Sequence, residues 1–154
     1  MKKRVSDSRT EQVQILTQAN INGYNRLFGG QLMEWIDVVA AVTARRHSGH
    51  NVTTALVDTL TFKAPAHPND MIIIRGKITY TGRTSMEVCV RSYVEEPDGT
   101  RRLINTAYLV MVALDENEHP VPVPQLILET ERERLEWKSA CKRAERRKRL
   151  TVEN

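Results

Sequence analysis

Asp37 has the most conspicuous chemical setting in this chain of 154 residues. It lies in a run from Gln31 to Ser48 that holds no proline or glycine, with Met33, Ala40, Ala41 and Ala44 as its neighbours at helical spacing. An ionised carboxylate among apolar side chains is costly unless it is paired or has work to do. The work open to it is activation of a water or direct attack on an electrophilic carbonyl. The structural alternative is an aspartate paired with an arginine or capping a nearby loop. Upstream, Asn20-Ile21-Asn22-Gly23-Tyr24-Asn25 sets three carboxamides among turn formers. A carboxamide such as Asn25 can donate to a carbonyl or orient a water, and it can equally well just hold a turn. Gly29-Gly30 follows, placing backbone N–H groups at a helix start whose partial positive charge suits an oxyanion. The pair could also serve close packing alone. Asp58 is the rival carboxylate, in a β-branched stretch close to Lys63, and a structural role fits it better.

These groups need elements to hold them. The helix that starts near Gln31 should stop at Gly49. Leu32, Met33, Trp35, Ile36, Val38, Val39, Ala40, Ala41, Val42 and Ala44 leave it almost no polar face, which predicts burial. Strands are expected over residues 11–17, 51–62, 71–81, 84–95 and 102–114, from β-branched content and period-two patterning. The last of these is apolar on both faces toward its end, as a central strand would be. Pro97-Asp98-Gly99 marks a hairpin, and His119-Pro-Val-Pro-Val-Pro124 an extended connector. Residues 1–9 read as a frayed lead-in. The chain closes with a helix whose Thr130 and Glu133 form a capping box, acids first and bases after, in the order the helix dipole favours. The layout is α+β: a long helix wrapped by a five-stranded antiparallel sheet, with a C-terminal helix. Two units are expected, residues 1–124 and a basic helical tail over 125–154. One sheet covers one side of the helix and leaves its own edge open, so at least a dimer is expected.

Composition narrows the class. Net charge is +4, with the bases crowded between Arg132 and Arg149. That cluster holds only Trp137 for base stacking, which speaks against nucleic acid as a partner. No apolar run reaches the roughly 18 residues of a membrane span. No apolar stretch follows Met1-Lys2-Lys3-Arg4, so secretion is not expected and the reading is cytoplasmic. Cys89 and Cys141 have no metal or redox spacing. His47-x-x-His50 lacks a further ligand at metal spacing, so no metal site is expected.

Several motifs in order resemble a known family. They are Asn25-x-x-Phe28-Gly29-Gly30-Gln31-Leu32-Met33, then Trp35-Ile36-Asp37, Ala40 and Ala44-Arg45-Arg46-His47. Val57-Asp58-x-x-x-Phe62-x-x-Pro65, Asp70 and Gly82-Arg83-Thr84-Ser85-Met86-Glu87-Val88 continue the series. Together, over residues 11–114, they resemble the hotdog-fold acyl-CoA thioesterases, nearest the bacterial broad-specificity members akin to the cytosolic brain-type hydrolases. Asn69 stands where that family has glycine before the aspartate, and Ser48-Gly49 replaces Ala-Gly. The resemblance implies hydrolysis of acyl-CoA to free acid and CoA without a cofactor. It assigns Asp37 as base or nucleophile and Asn25 as the group positioning water or carbonyl, the two facing each other from different subunits. Gly30 N–H would stabilise the oxyanion. Gly82, Arg83, Thr84 and Ser85 would contact the pantetheine and phosphates, with Lys63 a further phosphate candidate. It also implies dimers, assembled as a trimer of dimers into a hexamer. The competing reading is a non-catalytic acyl-CoA-binding sensor. A hotdog dehydratase is disfavoured because the histidine-centred dyad is missing.

Overall fold

The computed structural model describes residues 1–153 of the chain; Asn154, the last residue of the expected tail, lies outside the described residues. The long helix, α1, spans Gly29–Ser48. Gly49 ends it in the left-handed region (φ 74°), its N–H donating to the Arg45 carbonyl at 2.8 Å. The described residues form seven strands, two before the helix and five after it: β1 Lys2–Arg4, β2 Thr10–Ile15, β3 Asn51–Phe62, β4 Met71–Thr81, β5 Ser85–Glu95, β6 Arg101–Leu114 and β7 Gln125–Ile127. The closing helix, α2, spans Glu131–Glu153. Five strands form one antiparallel sheet in the order β2-β4-β5-β6-β3. This is the expected hotdog arrangement, with β3 on an open edge.

The core lies between α1 and one face of this sheet. Leu32, Ile36, Val39, Ala40 and Ala44 are buried against Ile72, Ile74, Ile78, Val88, Val90, Leu109 and Met111. Each large side chain removed from water contributes about 1.5–3 kcal/mol. Gly76 permits the close approach of helix to sheet, since a Cβ there would meet Thr43 Oγ1 at 2.6 Å. One sheet cannot cover both sides of a helix. Glu34, Val38 and Arg45 therefore remain exposed, Val38 by 50%.

The residues expected to fray are instead tied down. β1 pairs in parallel with β7, Lys2 opposite Gln125 and Arg4 opposite Ile127. Val5 and Ser8 are buried behind it. The physical reason is the connector: once past its prolines, the chain offers unpaired amides at residues 125–127, and the N-terminus supplies the partner strand. β6 lies second from the edge, between β5 and β3, and not at the centre of the sheet. Its Ala107, Leu109, Met111 and Ala113 face the core, while Tyr108, Val110 and Val112 are half-buried.

α2 lies on the opposite face of the sheet from α1. Thr130 Oγ1 caps it by accepting from Glu133 N–H at 3.0 Å. The Glu133 carboxylate reaches one residue further back than a capping box requires, to Glu129 N–H at 2.9 Å. The helix meets the sheet through an ion pair and aromatic contacts: Lys77 to Glu136 at 2.6 Å, Trp137 against Tyr80, and Arg143 3.8 Å over the Tyr108 ring.

Candidate active site

Asp37 is half-buried on α1 and accepts a hydrogen bond from Thr54 Oγ1 on β3, 2.7 Å from its Oδ1. No arginine or lysine pairs with it among the described residues, so the structural alternative of an ion-paired aspartate does not apply there. Its Oδ2 has no protein partner among those residues. A carboxylate with one oxygen fixed and the other free is arranged to take a proton from water or to attack. Thr54 went unrecognised at the level of sequence. It sits in the run Thr53-Thr54, where strand alternation alone does not say which hydroxyl faces the helix.

The loop before α1 closes through an Ile21–Leu27 bridge and through Asn22 N–H to the Arg26 carbonyl at 2.8 Å. Within it the two candidate asparagines differ. Asn25 is exposed, occupies the left-handed region (φ 61°), and its side chain makes no hydrogen bond among the described residues. The side-chain oxygen of Asn22 accepts from Tyr24 N–H at 2.9 Å and Arg26 N–H at 3.3 Å. Those two bonds fix the amide orientation, so the Asn22 NH₂ group points away, with both donors unused among the described residues. α1 then begins without a side-chain cap, its Gly29 and Gly30 exposed.

The remaining candidates fall at two ends of the molecule. The Gly82–Ser85 turn joins β4 to β5, with Gly82 N–H donating to the Ser85 carbonyl at 2.9 Å. It is stitched to the connector and to β6 through Val123 N–H to the Arg83 carbonyl and Ala113 N–H to the Thr84 carbonyl. Ser85 stands opposite Val112, and Val112 opposite Thr53, so this turn shares an end of the sheet with Thr54 and Asp37. Arg83 is exposed and pairs with no carboxylate among the described residues. Lys63 is at the other end, just past β3, and there lines a groove of about 320 Å³ with Asn22, Leu32, Phe62, Ala66 and Ile104. Gly29 packs toward the Phe62 ring at this same end. Thr54 and Phe62 stand opposite Met111 and Asn105, six residues apart on β6, roughly 20 Å at strand rise. Within one chain, therefore, Asp37 and Thr54 are not brought together with Asn22, Asn25, Gly30 or Lys63.

The other charged candidates are committed elsewhere. Asp58 is held by Arg146 and Arg147 at 2.7 and 2.8 Å. Arg46 bonds the Arg9 carbonyl and Thr10. His47 is buried, with Nε2 2.7 Å from the Pro124 carbonyl, and burial pushes its imidazole below the ordinary histidine range. No cluster of three histidine, cysteine, aspartate or glutamate side chains is placed to hold a metal among the described residues.

Comparison with known proteins gives this geometry its context. Residues 24–100 match the family model of the thioesterase superfamily. The chain is 41% identical over 128 residues to an uncharacterised acyl-CoA thioester hydrolase, YkhA, of Bacillus subtilis, covering 82% of this chain and 74% of that one. It is 32% identical over 142 residues to the acetyl-coenzyme A thioesterase of Mus musculus, spanning 92% of this chain but a quarter (25%) of that longer protein. A solved apo-hexameric acyl-CoA thioesterase superposes with a TM-score of 0.94 at 38% identity, over 97% of both chains. The acyl-CoA hydrolase of Staphylococcus aureus, solved with butyryl coenzyme A and coenzyme A, gives 0.95 at 32% identity over 99% of this chain and 94% of that one. The chain belongs to the thioesterase superfamily, among the hotdog-fold acyl-CoA thioesterases.

Proposed function

We propose that this protein hydrolyses acyl-CoA thioesters at a site shared between two copies of the chain. Asp37 of one copy is the base or nucleophile, oriented by Thr54. An asparagine of the other copy donates to the thioester carbonyl or to the attacking water, and Gly30 N–H at the start of its α1 receives the developing oxyanion. The observation that carries this reading is the Thr54–Asp37 hydrogen bond, which holds one oxygen of a carboxylate that no cation pairs with among the described residues.

Spacing favours Asn22 over Asn25 for the asparagine. Solved variants of the S. aureus hydrolase replace an asparagine, an aspartate fifteen positions later and a threonine seventeen positions beyond that. Asn22, Asp37 and Thr54 repeat both intervals; Asn25 does not. Its left-handed backbone gives Asn25 a different task, that of turning the loop. The bonded oxygen and unused NH₂ of Asn22 suit a preorganised donor.

The open edge of β3 supplies the means of sharing. Two copies paired antiparallel about the middle of this strand would bring the Thr54 end of one beside the Phe62 end of the other. Asp37, Arg83 and the Gly82–Ser85 turn of one copy would then meet Asn22, Gly30 and Lys63 of its partner, with positive charge on both sides for the phosphates of CoA. Leu56, Val57, Phe62, Phe28 and Val38, all exposed in the single chain, fall along that seam. Structural relatives described as hexameric support further assembly into three such pairs.

Subunit complementation tests the shared site. Asp37→Asn and Asn22→Ala chains should each be nearly inactive, and co-refolding them should restore a fraction of turnover, in pairs that carry one intact site. Absence of any recovery in verified mixed oligomers would place both groups within one chain or remove one from catalysis. The sensor reading predicts saturable acyl-CoA binding with no turnover in the wild type.

A further inference from the structure

The C-terminal helix reaches across the sheet to the strand that carries Thr54. β3 does not run regularly beside β6. Thr54 stands opposite Met111 and Leu56 opposite Val110; Val57 stands opposite Leu109 and Thr59 opposite Tyr108. Ala55 and Asp58 are thus extra residues without partners, two bulges within five positions. Each bulge breaks the alternation of side chains and re-aims the ones beside it. Thr54 and Asp58, four apart, would share a face in an unbroken strand. Instead the Thr54 hydroxyl meets Asp37 on the α1 side, and the Asp58 carboxylate meets α2 on the other.

Asp58 is firmly held there. Its side chain is 7% exposed, with Arg146 at one oxygen and Arg147 at the other. Arg147 also bonds Glu87 at 3.0 Å. The Glu87 side chain is 0% exposed and is further held by Arg143 at 2.7 and 3.0 Å and by Thr79 Oγ1 at 2.6 Å. Thr79, Glu87, Tyr108 and Asp58 belong to β4, β5, β6 and β3, which are consecutive neighbours in the sheet. Arg143, Arg146 and Arg147 are spaced to lie on one face of α2. One helix face therefore holds β5, β6 and β3 directly and β4 through the Thr79–Glu87 bond, and it ends on Asp58, the second of the two bulges, four residues from Thr54. Within one chain β3 pairs with β6 alone among the described residues, and a ladder broken twice in five positions is where register is least secure.

We propose that Asp58 is a positioning residue for catalysis: clamped by Arg146 and Arg147, it fixes the bulged segment of β3 so that Thr54 meets Asp37. The proposal rests on the reading of Asp37 and Thr54 as the catalytic pair. It assigns the basic tail a task within the fold, in place of the CoA or nucleic-acid contact that its charge alone would suggest.

The test is a double-mutant cycle in the full chain, with Asp58→Ala, Thr54→Ala and the combination. Asp58→Ala should lower kcat about ten- to a hundredfold, the scale of a small displacement of reacting groups, with KM within about twofold. In the Thr54→Ala background the same change should cost less than about twofold, because nothing remains to be positioned. An unchanged kcat in folded, assembled Asp58→Ala, or losses that simply add, would overturn the proposal. Amide hydrogen exchange over residues 51–62 reads the same geometry without turnover. Faster exchange in Asp58→Ala is expected, and a rate equal to wild type overturns the clamp. Should wild type show no turnover with any ester, the thioesterase reading fails while the exchange result still decides the clamp. If Asp58→Ala does not fold, Arg146→Gln removes one arm; a smaller loss in the same direction is expected, and no change in kcat or exchange overturns.

Discussion

Thr54 Oγ1 lies 2.7 Å from Asp37 Oδ1, joining the edge strand of the sheet to the middle of the helix that the sheet encloses. The bond links two elements adjacent in the chain, and it is the contact through which strand geometry reaches the carboxylate. A hydrogen bond to an ionised group contributes about 1.5–3 kcal/mol. Thr54→Val keeps the shape and removes the donor. It should lower kcat about ten- to a hundredfold with KM little changed, because a misaimed base harms the reacting state and not binding. Steady-state kinetics with one good acyl-CoA substrate checks this.

The two loop asparagines should behave oppositely. Asn22→Ala removes a fixed donor and should cost about 10²–10³ in kcat, the range for one oxyanion contact. Asn25→Gly puts glycine at a left-handed position (φ 61°) that glycine adopts freely, so activity should persist and thermal stability should hold or rise slightly. Reversal of these two outcomes would return the role to Asn25.

Much of this architecture is legible in the sequence. The proline-free run ending at Gly49 marks α1, and Asp37 stands out because its helical neighbours are apolar. Strand bounds at 51–62 and 71–81 follow from β-branched content. Three things are not legible, each for a physical reason. The β1–β7 pair is three residues a side and far apart in sequence, so no periodicity develops. The face that Thr54 presents is set by bulges, which arise from pairing between strands. The proposed preference for Asn22 over Asn25 draws, beyond the spacing to Asp37 and Thr54, on a backbone dihedral and two backbone hydrogen bonds that composition does not encode.

Glu87 makes a stability prediction. Its buried carboxylate depends on Arg143, Arg147 and Thr79. Arg143→Met leaves that charge underpaired and should destabilise the fold by up to about 3–5 kcal/mol, the scale for breaking a buried pair. Adding Glu87→Gln should recover part of the loss, since a neutral amide is less costly to bury. Chemical denaturation of the single and double variants measures both; a double variant no more stable than Arg143→Met would contradict the account.

His47 gives stability a pH dependence of definite sign. Burial lowers its pKa in the fold, outweighing the raising effect of the Pro124 carbonyl. The unfolded chain then takes up a proton more readily than the folded one. The contribution is fully present above the ordinary value of 6.5 and is lost as pH falls through the lowered folded value. Comparing melting temperatures of wild type and His47→Gln from about pH 8 down to about pH 5 should show the steeper decline in wild type. Parallel curves would mean that His47 is not a source of acid sensitivity.

The most direct test of the central claim is release of CoA thiol from a panel of esters, acetyl to palmitoyl, by wild type and Asp37→Asn. The account predicts turnover of at least one ester by wild type and a loss of about 10² or more in the folded variant. Turnover retained within a few-fold by Asp37→Asn, or none by wild type with any ester, would contradict it.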